Sequence, residues 1–156
     1  MTIAHLAEHT TWIPTLALWA YHEWGHLFPD ETYATLLAKF AERTTDHTIP
    51  ETFVALEHTV LLGMASLVKH DLPTRTELSP WLADVYVAPE WRQRGVGSKL
   101  VQVAMQEAES LGVATLYLFT PDKLEFYRRL GWRVFETTRY RGEAVTIMAW
   151  NRLRTV

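Results

Sequence analysis

A chain of 156 residues that is 48% hydrophobic and 21% charged is long enough to bury its own core and too apolar to be disordered. It has no cysteine, which excludes a disulfide framework, a thiolate metal site and a thiol nucleophile. A net charge of −3 argues against a dedicated nucleic-acid binder. Charge is unevenly spread: residues 1–80 hold four Lys/Arg against ten Asp/Glu, residues 81–156 eleven against eight, and all seven histidines precede residue 71. An acidic half suits a cationic ligand and a basic half an anionic one. The longest apolar run, Val60 to Val68, is too short to span a membrane. The opening MTIAHLAEHTTW has no basic start before an apolar block, so a signal peptide is not expected. A cytoplasmic protein without membrane or nucleic-acid partners is the expectation.

Thr2–Leu6 reads as a short strand. From Thr11 to Trp24 apolar residues recur at helical spacing, with Pro14 tolerated only in the first turn and Gly25 and Pro29 closing the segment. A second helix is expected from Glu31 to Arg43, with Asp30 as its N-cap. Thr52–Glu57 and Val60–Lys69 read as a hairpin, Asp71–Pro80 as a loop and Leu82–Val87 as a strand. A helix follows over Ser98–Ser110, burying Leu100, Val101, Ala104 and Ala108 and stopped by Gly112. Ala114–Phe119 is a buried strand, Lys123–Leu130 a short helix, and Trp132–Phe135 and Ala144–Trp150 the closing strands. With no repeat and no linker, the order describes one mixed α/β domain over residues 1–156.

The most informative segment is VYVAPEWRQRGVGSKL, residues 85–100. A strand ends at Val87, Pro89 breaks it, and Arg92-Gln93-Arg94-Gly95-Val96-Gly97 opens a helix. Glycines there let backbone approach a ligand, and the unpaired N–H groups of a first helical turn attract an anion. Arg92, Arg94 and Lys99 add positive charge. The three-glycine spacing of a dinucleotide turn and the Gly-Lys-Ser/Thr of a P-loop are both missing.

Arg92-Gln93-Arg94-Gly95-Val96-Gly97 resembles the Arg/Gln-x-x-Gly-x-Gly/Ala signature of the Gcn5-related N-acetyltransferases, and Phe126-Tyr127-Arg128-Arg129-Leu130-Gly131-Trp132 resembles that family's Phe-Tyr-x-x-x-Gly-Phe/Trp element. The resemblance implies a largely antiparallel, splayed sheet of roughly six or seven strands with helices on both faces. Residues 81–150 would then be the acetyl-CoA-binding core and residues 1–50 the acceptor-side helices. It further implies that Arg92, Arg94, Gly95, Val96, Gly97 and Ser98 hold the pyrophosphate of acetyl-CoA, used as a cosubstrate. Tyr86–Val87 would pair with the pantetheine arm and polarise the thioester carbonyl through a backbone N–H, and Tyr127, beside Phe126, would protonate the departing thiolate. Direct attack by a primary amine, in a small amine, polyamine or peptide N-terminus, needs no protein nucleophile, which agrees with the absence of cysteine. The FTPDKLEFYRRLGW stretch is also similar to N-terminal acetyltransferases.

The base is less defined. Asp84 precedes the turn where relatives carry an acid, yet in some relatives that acid aligns nearer Ala83, and adjacent strand residues face opposite ways. Glu23, with His22 and His26, lies where the amine wall is expected, and Glu23 is the first choice for the amine contact. Trp24, Tyr21, Phe28 and Trp81 are aromatic candidates for that wall. His22-Glu23-Trp24-Gly25-His26 also spells a zinc-protease motif, but Gly25 and Pro29 suggest the helix ends there and no third ligand follows, so no metal is expected. A coenzyme-A-binding module without catalysis is the other alternative. A homodimer would pair through Ala144–Trp150.

Overall fold

The computed structural model describes residues 1–152. β1 (Thr2–His5) leads through two short 3₁₀ turns into α1 (Ile13–Trp24) and α2 (Tyr33–Glu42). The strands β2 (Glu51–Glu57), β3 (Val60–Val68) and β4 (Trp81–Val87) follow, then α3 (Val96–Ser110), β5 (Thr115–Thr120), α4 (Leu124–Arg129), β6 (Arg133–Tyr140) and β7 (Glu143–Asn151). Among these, no helix is long and apolar enough to cross a membrane.

All the strands join one sheet in the order β1-β2-β3-β4-β5-β7-β6. Neighbours are antiparallel except β4 and β5, which run parallel and meet at one position, Trp81 opposite Tyr117. Beyond it the two strands part, and the sheet splays open. The expected mixed sheet with helices on both faces is therefore found.

Both faces of the central strands are covered, so β2 reads as a continuous apolar run. Its Phe53 and Ala55 pack with Leu100, Val101, Ala104 and Ala108 of α3, all of them buried. Val54 and Leu56 face the other way, against Leu16, Ala17 and Ala20 of α1 and Phe40 of α2. Trp19 and Trp24 of α1 pack on the Tyr86 ring, at 4.8 and 6.2 Å between centroids.

Three expectations need correction. Asp30 does not cap α2: Thr32 does, its hydroxyl accepting from the Thr35 N–H at 3.1 Å while the Thr35 hydroxyl accepts from the Thr32 N–H at 2.8 Å. A threonine at the third helical position fills the place where Glu or Gln usually marks this reciprocal cap. α3 begins at Val96 rather than Ser98, because Gly95, at φ 81°, turns the chain directly into the helix. Ala144–Trp150 offers no edge to a second copy, since β7 lies between β5 and β6 and is paired on both sides. The outer strand is β6, longer and more polar than its first four residues suggest.

Gly63 sits where β3 meets β4, opposite Val87. A Cβ there would lie 2.5 Å from the Tyr86 carbonyl oxygen, a backbone atom that can yield only if β4 moves. Gly63→Ala is expected to lower stability by about 1–3 kcal/mol in urea unfolding; an unchanged midpoint would contradict this close packing.

Candidate active site

β4 ends at Val87, and a single turn over Pro89–Trp91 carries the chain to Arg92. Gln93, at φ 62°, and Gly95, at φ 81°, then bend it tightly into α3. Gly95 offers its carbonyl to the Lys99 N–H at 3.1 Å. No side chain caps this helix, so the N–H groups of its first turn, on Val96, Gly97 and Ser98, are left for a ligand. Gly97 is wedged between β4 and α4: a Cβ there would touch Val87 at 3.5 Å and Phe126 at 3.4 Å.

The two arginines are positioned by neighbours. Arg92 Nε donates to the Val87 carbonyl at 2.9 Å and its guanidinium lies over the Tyr86 ring, while Arg94 stacks on Trp91. Arg92 thus secures the end of β4, and Arg94 is the cation presented beside the helix start.

Backbone direction along β4 follows from two contacts. The Tyr86 carbonyl faces Gly63 of β3, and the Val87 carbonyl faces the opposite side, where Arg92 reaches it. The N–H and C=O of one strand residue point the same way. Val87 therefore directs both groups toward the opening between β4 and β5, leaving a strand edge that an extended ligand can pair with.

Tyr127 of α4 lies on the α3 side of this opening, 8% exposed and packed edge-on against Phe126 and Trp132. Burial, with the Asp122 charge, pushes its phenol above the ordinary range, so it is protonated at neutral pH.

On the other face α1, α2, β4 and the loop after β3 enclose a cleft of about 160 Å³ lined by Trp24, Phe28, Glu31, Lys39, Arg43, His70, Asp71 and Asp84, among others. Asp84 reaches it through a β-bulge. Ala83 pairs with Ser66 and Tyr86 with Met64, so Asp84 and Val85 stand against the single Ala65, and Asp84 takes φ 56°. The bulge turns Asp84 to the face that Ala83 also occupies. There its carboxylate accepts from Arg43, and Glu31 pairs with Lys39.

Asp71 is the acid without such a partner in the cleft. Burial, reinforced by the Asp84 charge and opposed by Arg43 and Lys39, pushes its carboxyl up to about 7. Nothing in DLPTRTELSP distinguishes this acid from a solvated loop residue, and only the fold brings it beside Asp84. Arg43 and Glu31 were equally invisible as helix-end charges.

Other candidates fall elsewhere. Glu23 and His22 are exposed on α1 and are not part of the cleft lining. His26 lies beyond the helix, its Nε2 3.6 Å from Glu143. Because α1 stops at Trp24, the two imidazoles do not share a helical face, and among the described residues no third ligand joins them. Trp24 and Phe28 wall the cleft as expected, whereas Tyr21 is solvent-exposed and Trp81 is fully buried core.

A model of the acetyltransferase (GNAT) family matches residues 13–132. N-alpha-acetyltransferase 30 of Schizosaccharomyces pombe is 30% identical over 99 residues, 60% of this chain; the match spans 65% of that relative's length, just under two thirds. Aminoglycoside 6′-acetyltransferase type Ii superposes with a TM-score of 0.76 at 18% identity over 100% of both chains. A ribosomal-protein-alanine N-acetyltransferase from Brucella melitensis does so with a TM-score of 0.75 at 19% identity, covering 97% of this chain and 99% of that one. At these identities the two structures show a shared fold.

The raised Asp71 carboxyl carries a stability signature. Folded, it titrates at about 7 instead of 3.8, so across that window the folded chain keeps a proton the unfolded chain has lost. This stabilisation is complete below the unfolded value and is lost as pH rises through the folded one. Asp71→Asn is expected to melt higher than the parent at about pH 8 and to match it near pH 4. An offset equal at both pH values would contradict the assignment.

Proposed function

The chain belongs to the acetyltransferase (GNAT) family, and from that membership we propose that it transfers an acetyl group from acetyl-CoA to a primary amine by direct attack in a ternary complex. The observation that carries this reading is the opening between β4 and β5. On one side of the sheet α3 begins with uncapped N–H groups, and on the other α1, α2, Asp84 of β4 and the loop after β3 line an acidic, aromatic cleft.

In this reading the N–H groups of Val96, Gly97 and Ser98 hold the pyrophosphate, with Arg94 adding charge and Gly95 allowing the close approach. The edge of β4 at Val87 pairs with the pantetheine arm, flanked by Tyr86, whose carbonyl faces β3. The Val87 N–H faces the thioester carbonyl and stabilises the oxyanion as it develops. The acetyl thioester supplies the activated carbonyl carbon. The amine nitrogen bonds to that carbon as the carbon–sulfur bond breaks, the protonated Tyr127 hydroxyl gives its proton to the departing sulfur, and the proton then shed by the new amide nitrogen restores the phenol through water. Phe126 holds Tyr127 and Gly97 in mutual register.

The acceptor enters the cleft as a cation, flanked by the faces of Trp24 and Phe28. Asp71 takes its proton, directly or through one water; a carboxyl titrating near neutrality is matched to that task. Asp84, held by Arg43, fixes the shape and charge of the floor. A peptide α-amine is the acceptor favoured by the likeness to an N-alpha-acetyltransferase. Small amines and polyamines share the same chemistry.

Thioester consumption measured across peptide N-termini, polyamines and small amines tests this. Turnover is expected with cationic amines, falling roughly 10²-fold in Tyr127→Phe while acetyl-CoA affinity is kept. The rate should climb with pH through about 7, and Asp71→Asn should abolish that limb. Acetyl-CoA binding with no amine consumed would instead make the chain a coenzyme-binding module without catalysis.

A further inference from the structure

Away from the cleft and the glycine turn, β1, β2, α3 and the loop between α2 and β2 bring together His5, Asp46, His47, Glu51 and Glu107. Glu51 is 0% exposed. Neither of its carboxylate oxygens, nor the buried Nδ1 of His5, has a hydrogen-bond partner. A carboxylate stripped of water without a compensating donor costs several kcal/mol. Glu107, itself 8% exposed, worsens the repulsion by placing a second carboxyl against the first. Something positive belongs between them.

The geometry describes what. Oxygens of Glu51 and Glu107 and a nitrogen of His5 all lie within 4.8 Å of one another. His5 Nδ1 stands 3.6 Å from Glu51 Oε1, too far for a hydrogen bond. It is close to the roughly 3.4 Å that separates two ligands of one tetrahedral ion with bonds near 2.1 Å. The surrounding groups orient these three. His5 Nε2 faces Asp46 Oδ1 at 3.4 Å, and the tautomer with its proton on Nε2 would leave the Nδ1 lone pair for an ion. His47 Nδ1 lies 3.0 and 3.1 Å from the two Glu107 oxygens. Asp46 and His47 are exposed and form the entrance.

We propose that His5 Nδ1 and the carboxylates of Glu51 and Glu107 form a site for one divalent transition-metal cation, with Asp46 and His47 as its outer partners. One imidazole and two carboxylates suit zinc or manganese better than calcium or magnesium. Glu107 lies eleven residues along α3 from Val96, roughly 16 Å from the helix start, so the site is structurally separate from the glycine turn. An ion here ties β1 and β2 to the helix that carries that turn. Burial also raises the Glu51 carboxyl, with Glu107 adding to the effect and the Thr48 backbone opposing it. A proton shared by the two carboxyls is thus the alternative occupant.

Chelator-stripped protein titrated with Zn²⁺, followed by calorimetry and thermal melting, separates the two. The expected result is one ion per chain and a melting temperature that rises with Zn²⁺ and falls back with chelator. Glu51→Gln and His5→Asn should each weaken binding at least tenfold. Glu51→Gln removes a buried charge without changing shape, so its folding is expected to be intact. Asp46→Asn, which reaches the site through His5 and His47, should weaken it about tenfold. The double change His22→Asn with His26→Asn should leave binding unaltered. No stoichiometric binding, binding that survives both Glu51→Gln and His5→Asn, or binding lost with His22 and His26 would overturn the proposal.

Discussion

β4 and β5 share a single paired position, Trp81 opposite Tyr117, and the chemistry of the chain depends on what happens after it. A parallel pair continued to the ends of both strands would close the sheet and bury the backbone of Val87. Instead the strands part, and below β4 the side chains of Val87 and Phe126 close around Gly97 of α3. Above, α1 braces β4 where Trp19 and Trp24 lie on Tyr86. A strand edge left open inside a sheet is costly unless something pairs with it. Here it is the place where an extended ligand can be bound and a carbonyl polarised.

Charge is sorted by the same opening. The basic half of the sequence supplies Arg92, Arg94 and the start of α3; across the sheet the acidic half supplies Glu31 and Asp71, which Asp84 of β4 joins. Within the cleft two of these acids are matched by cations, Glu31 by Lys39 and Asp84 by Arg43. Asp71 is left to respond to burial and to its neighbour's charge. One carboxyl of altered basicity, among others whose charge is fixed, is a division of labour expected of acid–base chemistry.

Much of this was legible in the sequence where local rules decide. The glycine turn is identified by residues that permit positive φ and close approach, and the burial of α3 by its spacing. The Phe126-Tyr127 element was legible only through the family resemblance, and Phe126 lies against Gly97 of the turn. Legibility failed where tertiary contact overrides a local rule. The β-bulge at Asp84 breaks strand alternation for a reason that lies in β3, and no pattern in β4 announces it. Asp71 gains its character from burial, which a proline-rich loop does not advertise. Glu23 and His22 lie exposed on α1 and His26 past its end, which their positions in the sequence do not reveal. His5, Glu51 and Glu107 are more than forty residues apart at each step and meet only in the folded chain.

The central claim is that the uncapped start of α3 and the open edge of β4 form one binding site for acetyl-CoA. Calorimetric titration of acetyl-CoA into the purified chain tests it most directly. The account predicts one molecule bound per chain with micromolar affinity, about −8 kcal/mol. A folded protein that takes up no acetyl-CoA would contradict it, and the opening in the sheet would need another explanation.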